Sequence, residues 1–428
     1  MNIGVIGVGH VGAALLTQIA AGEAEIQGRL GEPLRVRRAV VRTPHAPRPC
    51  PPPDLGYTTD VEDLLRDPHI HVVVELAGGP EWFPVLTRVL ASRRPVVTAN
   101  KALLAERGAE LQRTARRSET ALFQEAAVGG AIPIMRVLAR SRAGENIRYV
   151  GGVLNGTANY LLGAMSQGHE YALALQQAQR LGYAASDPTD DVDGMDTARK
   201  LSILVQAAFG ADIPPTSWPL RGIRGLSAPA LTRLQPHFAV KLLAQAWRQD
   251  GQIQGLVGPT LIPRHHLFAG PQGPENAVLV AGDPGGPTGL LGLGAGGAAT
   301  ASAVLSDVLE AAAVVLGAPP PYFPTVRPHR AEAPRLYAFV HIAPDDDAQR
   351  RHVETVAERR GWPSRRSRSF PWGIAFEGSF EGIVMGPLPS HELPPGLLGG
   401  AGEPLWLGPG LGPSVSPLSA PELEWAGP

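Results

Sequence analysis

The run Gly7, Val8, Gly9, His10, Val11, Gly12 constrains this chain more than any other feature, because of its position. It follows directly on an apolar stretch, residues 3–6, that reads as a buried strand, and it opens a segment, Ala13, Ala14, Leu15, that reads as a helix. A glycine turn between strand and helix suits a dinucleotide. Gly7 permits the tight bend, Gly9 lets the backbone approach a pyrophosphate, Gly12 lets helix and strand pack closely, and the helix N-terminus offers N–H donors to the anion. Gly7, Gly9, His10, Val11 and Gly12 are therefore candidate cofactor contacts.

The same alternation continues. Residues 3–6, 35–41, 72–76, 96–98 and 121–124 read as short apolar strands separated by helical patterns. The fold class expected is α/β, a doubly wound parallel Rossmann-type sheet with helices on both faces. From about residue 148 the pattern changes to a strand (149–154), helices (158–165, 171–181, 194–209) and alternating segments (238–247, 253–261, 277–281), as in a second α+β domain. A Gly-rich stretch, 292–297, then opens a small-residue helix at 300–316 that Pro319 to Pro321 end. The expected organisation is a dinucleotide-binding domain over 1–130, completed by a helix at 296–317, and a substrate-binding and dimerisation domain over 131–295. A small βαββ module over 333–388 and a Gly/Pro-rich tail over 389–428 complete it.

Composition excludes several classes of function. The formal net charge is -1, so no basic footprint for nucleic acid is present. The single cysteine, Cys50, rules out an internal disulfide framework and a cysteine zinc site, and fits a reducing compartment. No basic, export-type N-terminus and no glycine-free apolar span appear, so a cytoplasmic chain without membrane partners is expected. Only three of the 38 basic residues are lysines: Lys101, Lys200 and Lys241. Lysine, unlike arginine, can give up a proton at accessible pH, which marks these three for acid–base work.

Asp196 and Lys200 stand four apart, so on one helix they share a face and can converge on a small polar substrate. A buried lysine there would deliver a proton to the alkoxide that forms when a carbonyl is reduced. Asp187, Asp190, Asp191 and Asp193 precede the pair as an acidic loop suited to a substrate ammonium group. Lys101 follows the fourth strand at the carboxyl edge, where open α/β sheets bind ligands, and Glu125 follows the fifth strand likewise. The second strand ends on Arg42 where an NAD site usually carries an acid, which favours the 2′-phosphate of NADP, with NAD as the alternative. Asn155-Gly156-Thr157 matches a glycosylation sequon without a route to the glycosylation machinery, and His265-His266 lacks further ligands for zinc.

GVGHVG, TANKALL, EAAVGGAIPI, GVLNGTANYLL, the segment 182–200 and the GAGG turn at 294–297 stand together in one order, and in this the chain resembles homoserine dehydrogenase. The resemblance covers roughly residues 2–317. It implies NAD(P)-dependent interconversion of L-aspartate 4-semialdehyde and L-homoserine, a step toward threonine and methionine, by a homodimer. It makes Lys200 the proton donor, Lys101 a contact to substrate and nicotinamide, Asp191 and Asp196 pocket carboxylates, and Gly296 a cofactor neighbour. It also implies a monovalent cation, sodium, at Glu125, Val128, Gly130 and Ile132, and an ACT-like character for the C-terminal module. One position departs: Ala185 stands where the family carries a substrate-binding glutamate. Asp187 or Asp191 is then expected to serve the ammonium group. The departure leaves open a reductase of another small amino or oxo acid, or an NADP-binding regulator without turnover.

Overall fold

The computed structural model describes residues 1–44, 55–249 and 251–317, with further described positions chiefly in strands between 336 and 407. The chain divides into two units, Met1–Val326 and Arg327–Pro428.

The first unit begins with six parallel strands, β1 (Asn2–Ile6), β2 (Arg35–Val40), β3 (Gly56–Thr58), β4 (Val72–Glu75), β5 (Val96–Thr98) and β6 (Leu122–Phe123), in the order β3-β2-β1-β4-β5-β6. Strand order reverses between β1 and β4, which opens a crevice at their carboxyl ends. The helices between them are α1 (His10–Ala21), α2 (Glu23–Leu30), α3 (Val61–Leu65), α4 (Phe83–Ala91) and α5 (Lys101–Arg117). Gly7 adopts φ +93°, and a Cβ on it would lie 2.6 Å from the backbone nitrogen of Ala77; one on Gly12 would lie 2.4 Å from the Gly7 carbonyl oxygen. Only glycine closes this turn.

A short α6 (Ile134–Arg136) leads into the second layer: β7 (Asn146–Val153), α7 (Gly156–Ser166), α8 (Tyr171–Arg180), α9 (Thr189–Val192), α10 (Met195–Phe209), α11 (Ala228–Leu234), β8 (Phe238–Gln249), β9 (Gln252–Pro263), β10 (Glu275–Asp283) and β11 (Gly286–Leu293). The five strands form an antiparallel sheet ordered β11-β10-β7-β8-β9. One core joins it to α7 and α10 through Leu161, Leu162, Leu201, Leu204, Leu242 and Val278.

The chain then returns. α12 (Gly297–Leu316) is long and apolar enough to cross a membrane, but Ala301, Val304, Val308 and Ala311 are buried against Ile3, Val5, Leu15 and Leu16 of the first sheet and α1, so it serves as a core helix. Its N-terminus meets that of α1: a Cβ on Gly297 would lie 3.2 Å from the His10 carbonyl oxygen.

β3 and β11 were not expected from sequence. β3 has three residues, and β11 carries three glycines, Gly286, Gly289 and Gly292, that hide its alternation. In the second unit, β12 (Leu336–Ile342), β13 (Ser364–Ser367), β14 (Glu381–Leu388) and β15 (Leu405–Leu407) pair antiparallel in the order β13-β14-β12-β15. β12 and β14 fall on two expected strands. The helix expected at 349–360 lies mostly, and the strand at 373–376 wholly, outside the described residues, as do Cys50 and nearly all of the tail.

Candidate active site

The cleft at the reversal of strand order has a volume of about 260 Å³. Val11 comes from the glycine turn, Leu76 to Gly78 from the end of β4, Ala99 to Lys101 from the end of β5, Gly129 and Gly130 from the linker, Lys200 from α10, and Gly294, Ala295 and Thr300 from the turn into α12. Gly9 and His10 are exposed. A Cβ on Gly9 would meet nothing within 4 Å, so the turn leaves its outer face open for a pyrophosphate to approach. Gly296 caps the N-terminus of α12 beside that turn. These features fit a dinucleotide laid across the carboxyl edge. Arg42 is exposed just beyond β2 and makes no hydrogen bond or ion pair among the described residues.

Three charged side chains meet at the edge of the cleft. Asp196, 2% exposed, points one oxygen at Lys200 Nζ (2.8 Å) and the other at Lys101 Nζ (2.5 Å). Lys200 also donates to the Leu154 carbonyl at 2.6 Å. The i,i+4 spacing on α10 accounts for one of these ion pairs; the other joins α10 to the start of α5. Burial alone would raise the Asp196 pKa, but the Lys200 and Lys101 charges overcome it and hold the carboxyl well below the usual range. Burial lowers the Lys200 pKa, with help from the Lys101 charge and against Asp196. Burial opposes the Lys101 charge too, but Asp196 outweighs it and holds that pKa above the ordinary lysine value. Two ammonium groups sharing one carboxylate thus differ: the buried Lys200 gives up its proton more readily.

Asn155 organises the carboxylates. Its Oδ1 accepts the Ala158 N–H and caps α7, while its Nδ2 donates to Asp191 (2.7 Å) and Asp196 (2.9 Å). Sequence reasoning saw only an irrelevant sequon here. The signal available was an Asn between a strand and a helix, the N-cap position. At 3% exposure it is not a surface acceptor for a glycan.

The acidic loop separates into different duties. Asp190 pairs with Arg199 and Asp193 with Arg224, each at 2.5 Å, while Asp187 is exposed and accepts the Thr189 N–H. Among the described residues Asp191 pairs with no basic side chain, and it adds its charge to the field at Lys101 and Lys200. Lys241 lies elsewhere, buried in β8 and donating to Asn159 and to the Pro271 carbonyl; burial lowers its pKa to about 8. It is the one lysine of the three that the site does not gather.

At the linker, the Glu125 carboxylate accepts the N–H groups of Met135 and Arg136 at the start of α6. The Ile132 carbonyl accepts from Ile134, whereas those of Val128 and Gly130 accept no backbone N–H among the described turn and loop contacts. Behind this turn Asp307 accepts the Glu125 N–H and an Arg136 hydrogen bond; burial, helped by the Glu125 and Glu310 charges, pushes it up to about 8. Among the described residues no cluster of three His, Cys, Asp or Glu side chains suits a metal ion.

A dinucleotide cleft beside a lysine–carboxylate–lysine cluster defines a nicotinamide-dependent oxidoreductase of small molecules. Comparison with known proteins narrows this. The family model described as homoserine dehydrogenase matches residues 133–309, and that of the homoserine dehydrogenase NAD-binding domain matches residues 7–125. A homoserine dehydrogenase of Synechocystis sp. is 39% identical over 324 residues, covering 74% of each chain. The solved homoserine dehydrogenase of Thiobacillus denitrificans is 31% identical, with a TM-score of 0.70 and 90% of each chain covered. A hyperthermophilic archaeal homoserine dehydrogenase in complex with NADPH is 27% identical, with a TM-score of 0.63; 75% of this chain covers 99% of it. The chain belongs to the homoserine dehydrogenase family, NAD(P)-dependent oxidoreductases.

Proposed function

We propose that the chain reduces L-aspartate 4-semialdehyde to L-homoserine with NADPH in the cytoplasm, as a homodimer, toward threonine and methionine. The observation that carries this reading is the Lys101–Asp196–Lys200 cluster on the edge of the dinucleotide cleft. A nicotinamide dinucleotide, held by the Gly7 to Gly12 turn and Gly296, would supply the hydride for the aldehyde carbon. Lys200 gives the aldehyde oxygen its proton, so that hydride and proton together complete the alcohol. Its hydrogen bonds to Asp196 and the Leu154 carbonyl aim the ammonium group and leave one N–H for the substrate. Lys101, 44% exposed on the other oxygen of Asp196, contacts substrate and nicotinamide. Asp191, with no basic partner among the described residues, takes the substrate ammonium group in place of the missing glutamate at Ala185.

Arg42, exposed beyond β2 and without an ion pair among the described residues, supports NADP over NAD, through the 2′-phosphate. A monovalent cation would rest on the Val128 and Gly130 carbonyls, with Glu125 and Ile132 shaping the turn from their own hydrogen bonds. Leu261, Leu291 and Leu293, each about half exposed on the outer strands of the five-stranded sheet, support a second copy as the covering partner.

The test follows NADPH absorbance with L-aspartate 4-semialdehyde and a panel of small oxo acids. Lys200→Ala is expected to lose about 10²- to 10⁴-fold in kcat while still binding NADPH. Asp191→Asn is expected to raise KM for the amino-bearing substrate roughly ten- to a hundredfold, the worth of one charged hydrogen bond. Wild-type turnover of another oxo acid in preference to the semialdehyde would overturn the substrate assignment.

A further inference from the structure

Glu75, the last residue of β4, is a carboxylate with no exposed surface that the reaction above does not use. Three valines, Val72 to Val74, precede it in the strand and are as deeply buried. Packing alone would accept a fourth apolar side chain, and burying a carboxylate is unfavourable unless its oxygens are satisfied. Those of Glu75 are. One oxygen accepts the N–H groups of Ala77 (2.9 Å) and Gly78 (2.8 Å), and the other accepts the Thr98 hydroxyl at 2.7 Å. The Thr98 hydroxyl oxygen accepts the Asn100 N–H at 3.0 Å. Asn100 then donates to the Gly79 carbonyl (2.7 Å) and accepts the Leu103 N–H (3.1 Å), which caps α5 at the residue before Lys101.

The arrangement has two arms. One fixes the turn at Ala77 and Gly78, which lines the cleft and packs on Gly7 of the dinucleotide turn. The other fixes Thr98 and Asn100, and through the cap the start of the helix that delivers Lys101 to Asp196. We infer that Glu75 is a positioning residue that ties the cofactor-side turn to the substrate-side turn and so sets the separation of the nicotinamide from Lys101. This deepens the function proposed above and rests on its assignment of the two sides.

The two arms separate by substitution in the full-length protein. Glu75→Gln keeps a carbonyl oxygen for Ala77 and Gly78 but turns an NH₂ group toward the Thr98 hydroxyl, which reverses that hydrogen bond and takes the acceptor from the hydroxyl proton, so it perturbs only the second arm. Thr98→Val breaks the same arm from the other end, and Thr98→Ser restores it. Glu75→Ala breaks both. NADPH binding is read by fluorescence titration, kcat and KM by steady-state assay, and folding by melting temperature.

For Glu75→Gln and Thr98→Val, kcat/KM for the semialdehyde is expected to fall on the order of tenfold or more, the scale set by small misplacements of reacting groups, with NADPH affinity kept. Thr98→Ser is expected to behave as wild type, and Glu75→Ala to weaken NADPH binding as well. Melting temperatures that fall while kcat/KM, measured well below them, stays at the wild-type value in Glu75→Gln and Thr98→Val would overturn the inference. If Glu75→Ala does not fold, those two variants and Thr98→Ser decide. A wild-type protein that neither binds NADPH nor turns over overturns the underlying function, and the inference with it, whereas an active wild type with unaffected variants overturns the inference alone.

Discussion

Two forces act on the Lys200 ammonium in opposite directions: burial and the neighbouring Lys101 charge favour the neutral amine, while Asp196 at 2.8 Å favours the cation. The balance leaves its pKa below the ordinary lysine value, which is near 10.4 in model peptides. A proton donor must carry its proton, so semialdehyde reduction is expected to be sustained at low and neutral pH and to be lost as pH rises through the lowered Lys200 pKa. Removing the carboxylate removes the largest force that holds the charge and leaves only the weaker pull of Asp191. In Asp196→Asn the basic limb of kcat/KM is therefore expected to move to still lower pH, alongside a loss of overall rate. A pH–rate profile of both proteins checks this; a basic limb that stays in place in the variant would mean that another group sets it. Half of this arithmetic was legible beforehand. The i,i+4 spacing announced the Asp196–Lys200 pair, but nothing local could pair Asp196 with Lys101, nearly a hundred residues earlier. Likewise the four aspartates within the seven residues 187–193 look interchangeable until folding commits Asp190 and Asp193 to arginines and leaves Asp191 facing the lysines.

Between β7 and α7 a single residue converts secondary structure into site geometry. Asn155 ends the strand's connection, caps the helix with its carbonyl oxygen, and spends its amide protons on two carboxylates that would otherwise repel. Asn155→Ala is expected to lose about 1 kcal/mol of stability from the cap and to leave Asp191 and Asp196 without their shared donor. Asn155→Asp separates these effects. It keeps the cap acceptor but sets a third carboxyl group against the other two, so turnover should fall at neutral pH and recover in part on acidification, when the added carboxyl takes up a proton and can donate again. Melting curves and rates over pH 5 to 8 distinguish the two variants. The elements themselves were largely readable, because buried parallel strands and long amphipathic helices carry periodicity. What escaped were features whose role is fixed by tertiary partners. Glu75 reads as the polar end of an apolar strand, and β11 is built of glycines and half-exposed leucines that acquire meaning only against β10.

Every side chain of the cleft lies in the unit Met1–Val326, in which one core joins the second sheet to α7 and α10 and another joins the first sheet and α1 to the returning helix α12. α12 closes the circuit, since it lies almost three hundred residues after the strand it packs on and brings its N-terminus back to the dinucleotide turn. A chain shortened before α12 would lose Ala301, Val304 and Val308 from the first core, whereas one ending at Val326 keeps them all. The archaeal homoserine dehydrogenase solved with NADPH is matched over 99% of its length by 75% of this chain, so a family member of that size is a folded protein. The chain ending at Val326 is accordingly expected to fold, to bind NADPH with the affinity of the full-length protein, and to keep its kcat/KM for the semialdehyde. Fluorescence titration and steady-state kinetics on the two lengths, side by side, measure this. The same pair of proteins tests the ACT-like reading of residues 333–388: inhibition by threonine that is present at full length and absent after truncation would assign effector binding to the second unit. Loss of turnover on truncation would instead mean that the first unit, although it holds every residue of the cleft, depends on the second to keep them in place.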